Sequence, residues 1–291
     1  MADHPRFGPA GMPPAFKLLK QPVTEVPKYL RSEGLDSFEY EMVRWGPKPQ
    51  IKQETAETLG KKAAEHDVWL TAHGSYFINL TSLNKETLEA SKRRLLACVQ
   101  GASWMGAHIV VFHPGSYAGR TREQVFETCA KAMEEVVGKM QSLGIKVHLA
   151  PETMGKPSQF GSIEEVLALC ERVELTEPNV DWAHLHSRER GRFRKIDDIR
   201  QVMDQIEKRL GTEALRNLHC HYSHIEFTDK GERRHHNIDR EEYGPDFKLL
   251  AQLIVERDLE PVIACETPNL DIDAIKLRDI VLQQLKRKGR A

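Results

Sequence analysis

Short apolar runs alternate with longer amphipathic stretches along almost the whole chain. The runs are rich in β-branched and aromatic residues and end at glycine or proline, which is typical of buried strands. The stretches between them carry apolar residues at helical spacing. The predicted strands are RFGPAG, SFEYEMV, VWLTAHGSYFI, HIVVFHPGS, IKVHLAPET, NVDWAHLHS, NLHCHYSHIEF and PVIACETPN.

The segments between these strands predict helices. Thr121 with Gln124 and Ser162 with Glu165 have the spacing of capping boxes, so helices are expected to begin there. Other helices are predicted over residues 14–34, 52–66 and 85–106 and over IDDIRQVMDQIEKRL, DFKLLAQLIVERD and IDAIKLRDIVLQQLK. Eight strand–helix units favour right-handed parallel crossovers and a closed barrel. Because no linker-like tract interrupts them, residues 1–291 are expected to form one α/β domain, a single (β/α)8 TIM barrel.

Composition narrows the classes of function. The net charge of −1 and the pI of about 6.9 give no sign of a nucleic-acid partner in bulk charge alone. The five cysteines are odd in number, form no C-x-x-C motif and lie mostly in apolar segments, which indicates reduced thiols. The stretch MADHPRFGPAGMPPAFK has no apolar run, so we expect that it is not a signal peptide, and we find no membrane-spanning run or dinucleotide-binding glycine motif. We expect a cytoplasmic protein without an organic cofactor or membrane attachment, and a monomer.

Histidines and carboxylates stand at the carboxyl ends of six consecutive predicted strands. Active sites of barrels lie at this end. A lone histidine or glutamate there is usually an ordinary loop residue, but repetition at equivalent positions favours a metal centre. Imidazoles mixed with carboxylates suit Zn²⁺, with Mn²⁺ or Fe as competitors, and a ring of this size can hold two or three ions. The residues are His73, His113, Glu152, Asp181, His184, His219, His221, His224 and Glu266.

Nearly the whole chain from Arg6 onward resembles the endonuclease IV family. These are zinc-dependent apurinic/apyrimidinic endonucleases of the xylose-isomerase-like superfamily. The motifs HGSYFINL, FHPGS, PETMGK, DWAH, HYSH and CETPN carry the resemblance, and the opening FGPAGMP is similar to the archaeal-type branch. The resemblance implies cleavage of DNA at abasic or damaged sites by a metal-activated hydroxide. Glu152 would be the catalytic residue that bridges two ions and orients the hydroxide.

The resemblance also implies which residues bind each ion. His73 and His113 would hold a first ion, which Glu152 connects to a second. Asp181, His221 and Glu266 would complete the second site. His221 fits the family pattern better than His219, although both share one face of their strand.

The predicted third site departs from the family pattern. The family uses the histidine matching His184 and an Asp-x-His pair. In KGERRHHN, with His235 as the pair's histidine, Arg233 stands at the aspartate position and Glu232 is one residue away. Because a guanidinium repels a cation, Arg233 must point away, and Glu232 or a water would complete the site. We therefore expect a third site that is weaker than the others, and one that Arg233→Asp tightens unless Glu232 already replaces the aspartate.

Family loops that enter the DNA minor groove match Arg44 and Trp45 after the second strand and Tyr76 and Phe77 after the third. The basic stretch RERGRFRK, which contains Arg192, either binds DNA phosphates or is a solvated loop.

Two alternative functions stay open. A sugar isomerase or epimerase on the same barrel needs one metal and carboxylate bases, so His73, His113 and His184 would be surplus as ligands. A barrel that keeps its metals but has lost nuclease activity is the other alternative, suggested by Arg233 and the near-neutral charge.

Overall fold

Eight parallel strands form the centre of the computed structural model, which describes residues 4–289. Residues 1–3 and 290–291 of the predicted domain lie outside the described part. The barrel strands, numbered one to eight below, are Arg6–Pro9, Ser37–Glu41, Trp69–His73, Ile109–Phe112, His148–Pro151, Asn179–Asp181, His219–Tyr222 and Val262–Cys265. The predicted α/β barrel is confirmed.

The barrel closes through two seams. Strands two to five form one four-stranded sheet, and strands six, seven, eight and one form the other. An isolated bridge between Ala10 and Glu39 joins strand one to strand two. Bridges from Leu149 to Thr176 and from Glu152 to Asn179 join strand five to the segment of strand six.

Helices follow the strands as the sequence predicted, except over residues 14–34 and in two short helices, Trp182–Arg188 and Thr212–Arg216, that the sequence did not predict. Both predicted capping boxes are present, at Thr121 and at Ser162. The predicted helix over 14–34 is divided, because Pro22 lies in an extended conformation between its two parts, whereas Pro27 is accommodated in the first turn of the second part. The α-helices are Pro14–Leu18, Val26–Ser32, Gln53–Glu65, Lys85–Trp104, Arg122–Ser142, Ile163–Arg172, Trp182–Arg188, Ile196–Leu210, Thr212–Arg216, Phe247–Glu256 and Asp271–Arg287, and Val23–Glu25 is a 3₁₀ helix.

The prediction of one strand over NVDWAHLHS was wrong. The strand ends at Asp181, and the helix Trp182–Arg188 follows at once. The reason is local, because Oδ1 of Asp181 accepts a hydrogen bond from the backbone N–H of His184 at 2.7 Å and caps the helix.

The prediction of one strand over NLHCHYSHIEF was also wrong. Strand seven ends at Tyr222, and the chain then forms an antiparallel hairpin of His224–Thr228 with Gly231–His236. This hairpin packs against the helix Trp182–Arg188. A second short pairing joins Gly115–Ser116 to Gln159–Phe160.

The interior of the barrel is unusually polar near its centre. Ile109, Val111 and Ala150 form a small apolar cluster of their own. Glu39, Thr71 and the strand-seven histidines are also buried in this interior. The larger apolar core lies between the strands and the surrounding helices. Within residues 4–289, no helix combines the length and apolarity needed to cross a bilayer.

Candidate metal centre

The ends of barrel strands three to eight bring the eight predicted metal ligands together. Their ligand atoms form three groups, within each of which all atoms lie within 4.8 Å of one another. Glu152 belongs to two groups, and Glu266 also belongs to two. The groups are His73, His113 and Glu152; Glu152, Asp181, His221 and Glu266; and His184, His235 and Glu266.

Glu152 stands between two of these groups and is fully buried. Its Oε2 lies 3.3 Å from Nε2 of His73 and 3.2 Å from Nε2 of His113. Its Oε1 lies 3.0 Å from Nδ1 of His184 and 3.5 Å from Nδ1 of His221. Each carboxylate oxygen therefore faces a different set of imidazoles.

Several buried polar atoms in this space have no hydrogen bond, although imidazole nitrogens lie close to them. Among the described residues these are Oε1 of Glu152, Oδ2 of Asp181, Nδ1 of His221 and Oε2 of Glu232. Short distances with poor hydrogen-bond angles mean that the groups do not point at one another. Buried polar atoms rarely lack a partner, so this arrangement fits atoms that converge on shared cations.

Backbone carbonyls fix which nitrogen of two histidines faces the centre. Nδ1 of His73 lies 2.9 Å from the carbonyl oxygen of Gly74, and Nδ1 of His184 lies 3.0 Å from that of Thr153. A carbonyl only accepts hydrogen bonds, so Nδ1 must carry the hydrogen in each ring. The lone pair is left on Nε2, as a metal ligand requires.

Glu39 fixes which ring nitrogen of His221 faces the centre, and the sequence analysis did not identify this residue. The Glu39 carboxylate is buried inside the barrel and lies 3.0 Å from Nε2 of His221 and 3.0 Å from Nε2 of His219. Nδ1 of His221 is thereby turned toward Glu266, at 3.1 Å. His219 lies one layer deeper, against Glu39 and the carbonyl of Val262. The geometry favours His221 over His219 as the ligand.

Glu39→Gln is expected to weaken metal binding by roughly 10- to 100-fold, because second-layer carboxylates orient ligating imidazoles and raise their basicity. Titration against a chelator measures the affinity. Thr71→Val is the matched control, since it removes a single hydroxyl donor, 3.2 Å from the same carboxylate, and leaves the contacts of the carboxylate with His221 and His219 in place. An unchanged affinity in Glu39→Gln would contradict a positioning role for Glu39.

A β-bulge determines how the hairpin meets the centre. Glu226 pairs with Arg234 and Phe227 pairs with Glu232, so Arg233 is the extra residue. The extra residue lets Glu232 and His235, three positions apart, face the same side. Oε2 of Glu232 lies 3.3 Å from Nε2 of His184. Glu232 therefore contacts the ring of His184, although it stands one residue away from the expected position of the aspartate in the sequence.

Arg233 points away from this space, as its charge requires. Its side chain is 68% exposed, and Nη1 lies 2.7 Å from Oε1 of Glu226. Gly155 is needed on the other side, because a Cβ there would lie 1.8 Å from Oε2 of Glu232.

The protonation of the centre reflects its crowded charges. Burial raises the pKa of Asp181 to about 8. Burial opposes charge on Glu152 too, but His113 and His221 hold the pKa of that carboxyl well below its usual range. Burial also disfavours the charged form of His221, yet Glu39 and Glu266 raise its pKa well above the ordinary value. Without a cation, these raised pKa values favour the protonated forms of Asp181 and His221.

Metal affinity is therefore expected to rise with pH. A cation must displace the protons of Asp181 and His221, whose pKa values are raised. Each displaced proton increases the affinity about tenfold per pH unit below the pKa of its group. Chelator competition between about pH 6 and about pH 8 checks this expectation. An affinity that does not change over this range would show that the ligands are already deprotonated.

Comparison with known proteins identifies this barrel. The family described as xylose isomerase-like TIM barrel matches residues 27–287. The chain belongs to the xylose isomerase-like TIM barrel family. An uncharacterized protein of Methanocaldococcus jannaschii is 30% identical over 271 residues, covering 93% of this chain and 94% of the relative. A probable endonuclease 4 of Shouchella clausii is 26% identical over 238 residues, covering 78% and 77%. The resemblance to endonuclease IV that the motifs indicated is confirmed.

Solved structures share the fold of this xylose isomerase-like barrel. Endonuclease IV from Thermus thermophilus matches with a TM-score of 0.68 at 20% identity, covering 91% of this chain and 94% of that chain. A D-tagatose 3-epimerase-like protein matches with a TM-score of 0.66 at 17% identity, covering 91% and 94%. At these identities the likeness describes the fold alone.

The residues predicted to contact DNA differ in how exposed they are and in whether they already have partners within the chain. Tyr76 and Phe77 are 56% and 60% exposed, and the Tyr76 ring stacks on His113 at 5.3 Å. Arg44 is exposed, whereas its neighbour Trp45 is buried and cannot enter a groove. Arg192 lies 2.7 Å from both Glu189 and Gln201, so its guanidinium already has partners within the chain.

Proposed function

We propose that the protein is a metal-dependent phosphodiesterase that cleaves DNA at abasic sites. The observation that carries the proposal is the position of Glu152, whose two oxygens face two different imidazole sets. A carboxylate placed in this way suits a centre of several adjacent ions. A single-ion enzyme has no use for His73 and His113 as ligands. The names of relatives such as the probable endonuclease 4 of Shouchella clausii support the same activity.

The proposed ion is Zn²⁺, with His73, His113 and Glu152 at one site and Glu152, Asp181, His221 and Glu266 at the next. His184 and His235 would serve the third, together with Glu266 and with Glu232, which contacts the ring of His184. When bound, such ions polarise a phosphodiester and lower the pKa of a water. The carboxylate of Glu152 aligns the two sites and orients the attacking group. Glu39 holds the ring of His221 in place.

The rim beside the first site fits a nucleic-acid substrate. Chemistry at an abasic site requires an extruded nucleotide, and aromatic side chains are suited to replace it in the base stack. Tyr76 and Phe77 are exposed directly beside His113. We propose that these two side chains enter the duplex and that Arg44 contacts the backbone. Arg192 would have to leave Glu189 before it could bind a phosphate.

A sugar isomerase or epimerase is the second candidate. The group of Glu152, Asp181, His221 and Glu266 favours it, because one ion with flanking carboxylates is sufficient for proton transfer beside a carbonyl. This candidate leaves His73 and His113 unexplained.

Incision of a duplex with one abasic site tests the proposal. The purified protein, with its metals counted, is incubated with this duplex, with an intact duplex and with a ketose. We expect a nick only at the abasic site, lost on chelation and restored by Zn²⁺. Epimerisation of the ketose without incision would overturn the proposal.

We also propose that the chain acts as one domain and as a monomer in the cytoplasm. All five cysteines carry free thiols, and four of them are buried. Free thiols are typical of a reducing compartment.

A further inference from the structure

A second group of metal-ligating side chains lies at the opposite, amino-terminal end of the barrel. His108 directly precedes strand four, His148 begins strand five, and Glu177 lies just before strand six. None of these three residues contributes to the centre described above. The amino-terminal face of a TIM barrel contributes to stability rather than to catalysis.

The spacing of the three side chains fits one ion. Their ligand atoms all lie within 4.8 Å of one another. Nε2 of His108 lies 3.2 Å from Oε2 of Glu177, and Nδ1 of His148 contacts Oε1 of the same carboxylate. Two ligands of a tetrahedral Zn²⁺ with bonds of about 2.05 Å lie about 3.3 Å apart. The pair formed by His108 and Glu177 already has this separation.

The group is reachable from solvent and has room for a further ligand. The side chains of His108, His148 and Glu177 are 37%, 30% and 33% exposed. His108 lines two cavities, one of about 240 Å³ that Glu177 also lines, and one of about 930 Å³ that Lys146 also lines. Three protein ligands and one water is a common Zn²⁺ set.

The position of the group coincides with a seam of the barrel. Strands five and six belong to different sheets, and isolated bridges at Thr176 and Asn179, rather than a continuous ladder, connect their backbones. Glu177 is next to one of these bridges, and its backbone N–H donates to the carbonyl of Leu149 at 2.9 Å. An ion held by the three side chains would tie strands four and five to the start of strand six.

We propose that His108, His148 and Glu177 bind a divalent transition-metal ion, Zn²⁺ by its ligand chemistry, at the amino-terminal face of the barrel. Two imidazole nitrogens and one carboxylate oxygen are ligands that Zn²⁺ prefers. The ion replaces a proton between His148 and Glu177, and that proton leaves to solvent. Its role is to hold the seam, and it is independent of the activity at the other end.

Metal counting on the full chain tests this site. The wild type, His148→Gln and Glu177→Gln are dialysed against the same micromolar Zn²⁺ and counted per chain. His66→Gln, at a half-buried histidine after the helix Gln53–Glu65, is the matched control. We expect each of the two site variants to hold about one ion fewer than the wild type and the control, and to melt at a lower temperature in Zn²⁺.

The difference between variants does not depend on how many ions the carboxyl-terminal centre holds. Incision activity is expected to be equal in all four proteins, so failure of this site and failure of the proposed function are distinguishable. Equal ion counts in the wild type and in folded Glu177→Gln would overturn the proposal and leave a hydrogen-bonded His–Glu–His group. Glu177→Gln keeps the shape of the side chain, so it serves if His148→Gln does not fold.

Discussion

Replacing Glu152 with glutamine is expected to lower the rate of abasic-site incision by at least about 10³-fold, or about 4 kcal/mol. The carboxylate is fully buried, and its oxygens face the imidazoles of two separate groups. An amide offers one weak oxygen ligand and an N–H₂ group that faces imidazole nitrogens or cations unfavourably. The variant is therefore expected to lose ions from both neighbouring sites, and the rate with them.

Incision rates and metal counts of the same preparation measure this effect. Glu164→Gln is the control, because Glu164 is an exposed glutamate in the first turn of the helix Ile163–Arg172. A Glu152→Gln protein with all its ions and an unchanged rate would contradict the proposed role. A protein with all its ions and no incision would restrict Glu152 to orienting the attacking group.

The ends of the strands were predictable from sequence because local rules determine them. A β-branched run that ends at proline or glycine marks the carboxyl end of a strand, and parallel strands bring these ends to one rim. His73, His113 and Glu152 were placed by this reasoning alone. The closeness of Glu266 follows from the closure of the barrel, which the count of strand–helix units predicted.

The choice between His219 and His221 was not predictable from alternation. Both side chains point to the same side of strand seven, and both contact Glu39. What separates them is depth along the strand, together with the contact of Glu39, a residue far away in the sequence, which leaves Nδ1 of His221 facing Glu266. The burial of Trp45 likewise depends on tertiary packing, whereas Arg192 pairs with Glu189 only three residues before it, in a local contact.

The hairpin after strand seven was missed for a different reason. His224 to Phe227 continue the alternation of a strand, so the break at Ser223 carries no signal in the pattern. The bulge at Arg233 then changes which residues share a face. A fixed Asp-x-His pattern leaves open whether Glu232 can replace the aspartate, and the contact of Glu232 with His184 becomes visible only in three dimensions.

Glu232→Gln is expected to weaken the third site by more than about 100-fold, since the loss of a ligand exceeds the usual effect of second-layer changes. Arg233→Asp is expected to leave the third site unchanged, because Arg233 faces solvent and Glu226 rather than His184.

The third site is also the most open, with the His235 side chain 31% exposed and the Glu232 side chain 17% exposed. Stepwise chelation should therefore empty it before the other two. The number of ions that each protein retains is counted after each chelation step, in the wild type and in both variants. Tighter binding in Arg233→Asp would mean that the aspartate position still reaches the ion and that Glu232 does not replace it. Loss of all ions in a single step would contradict a separate, weaker third site.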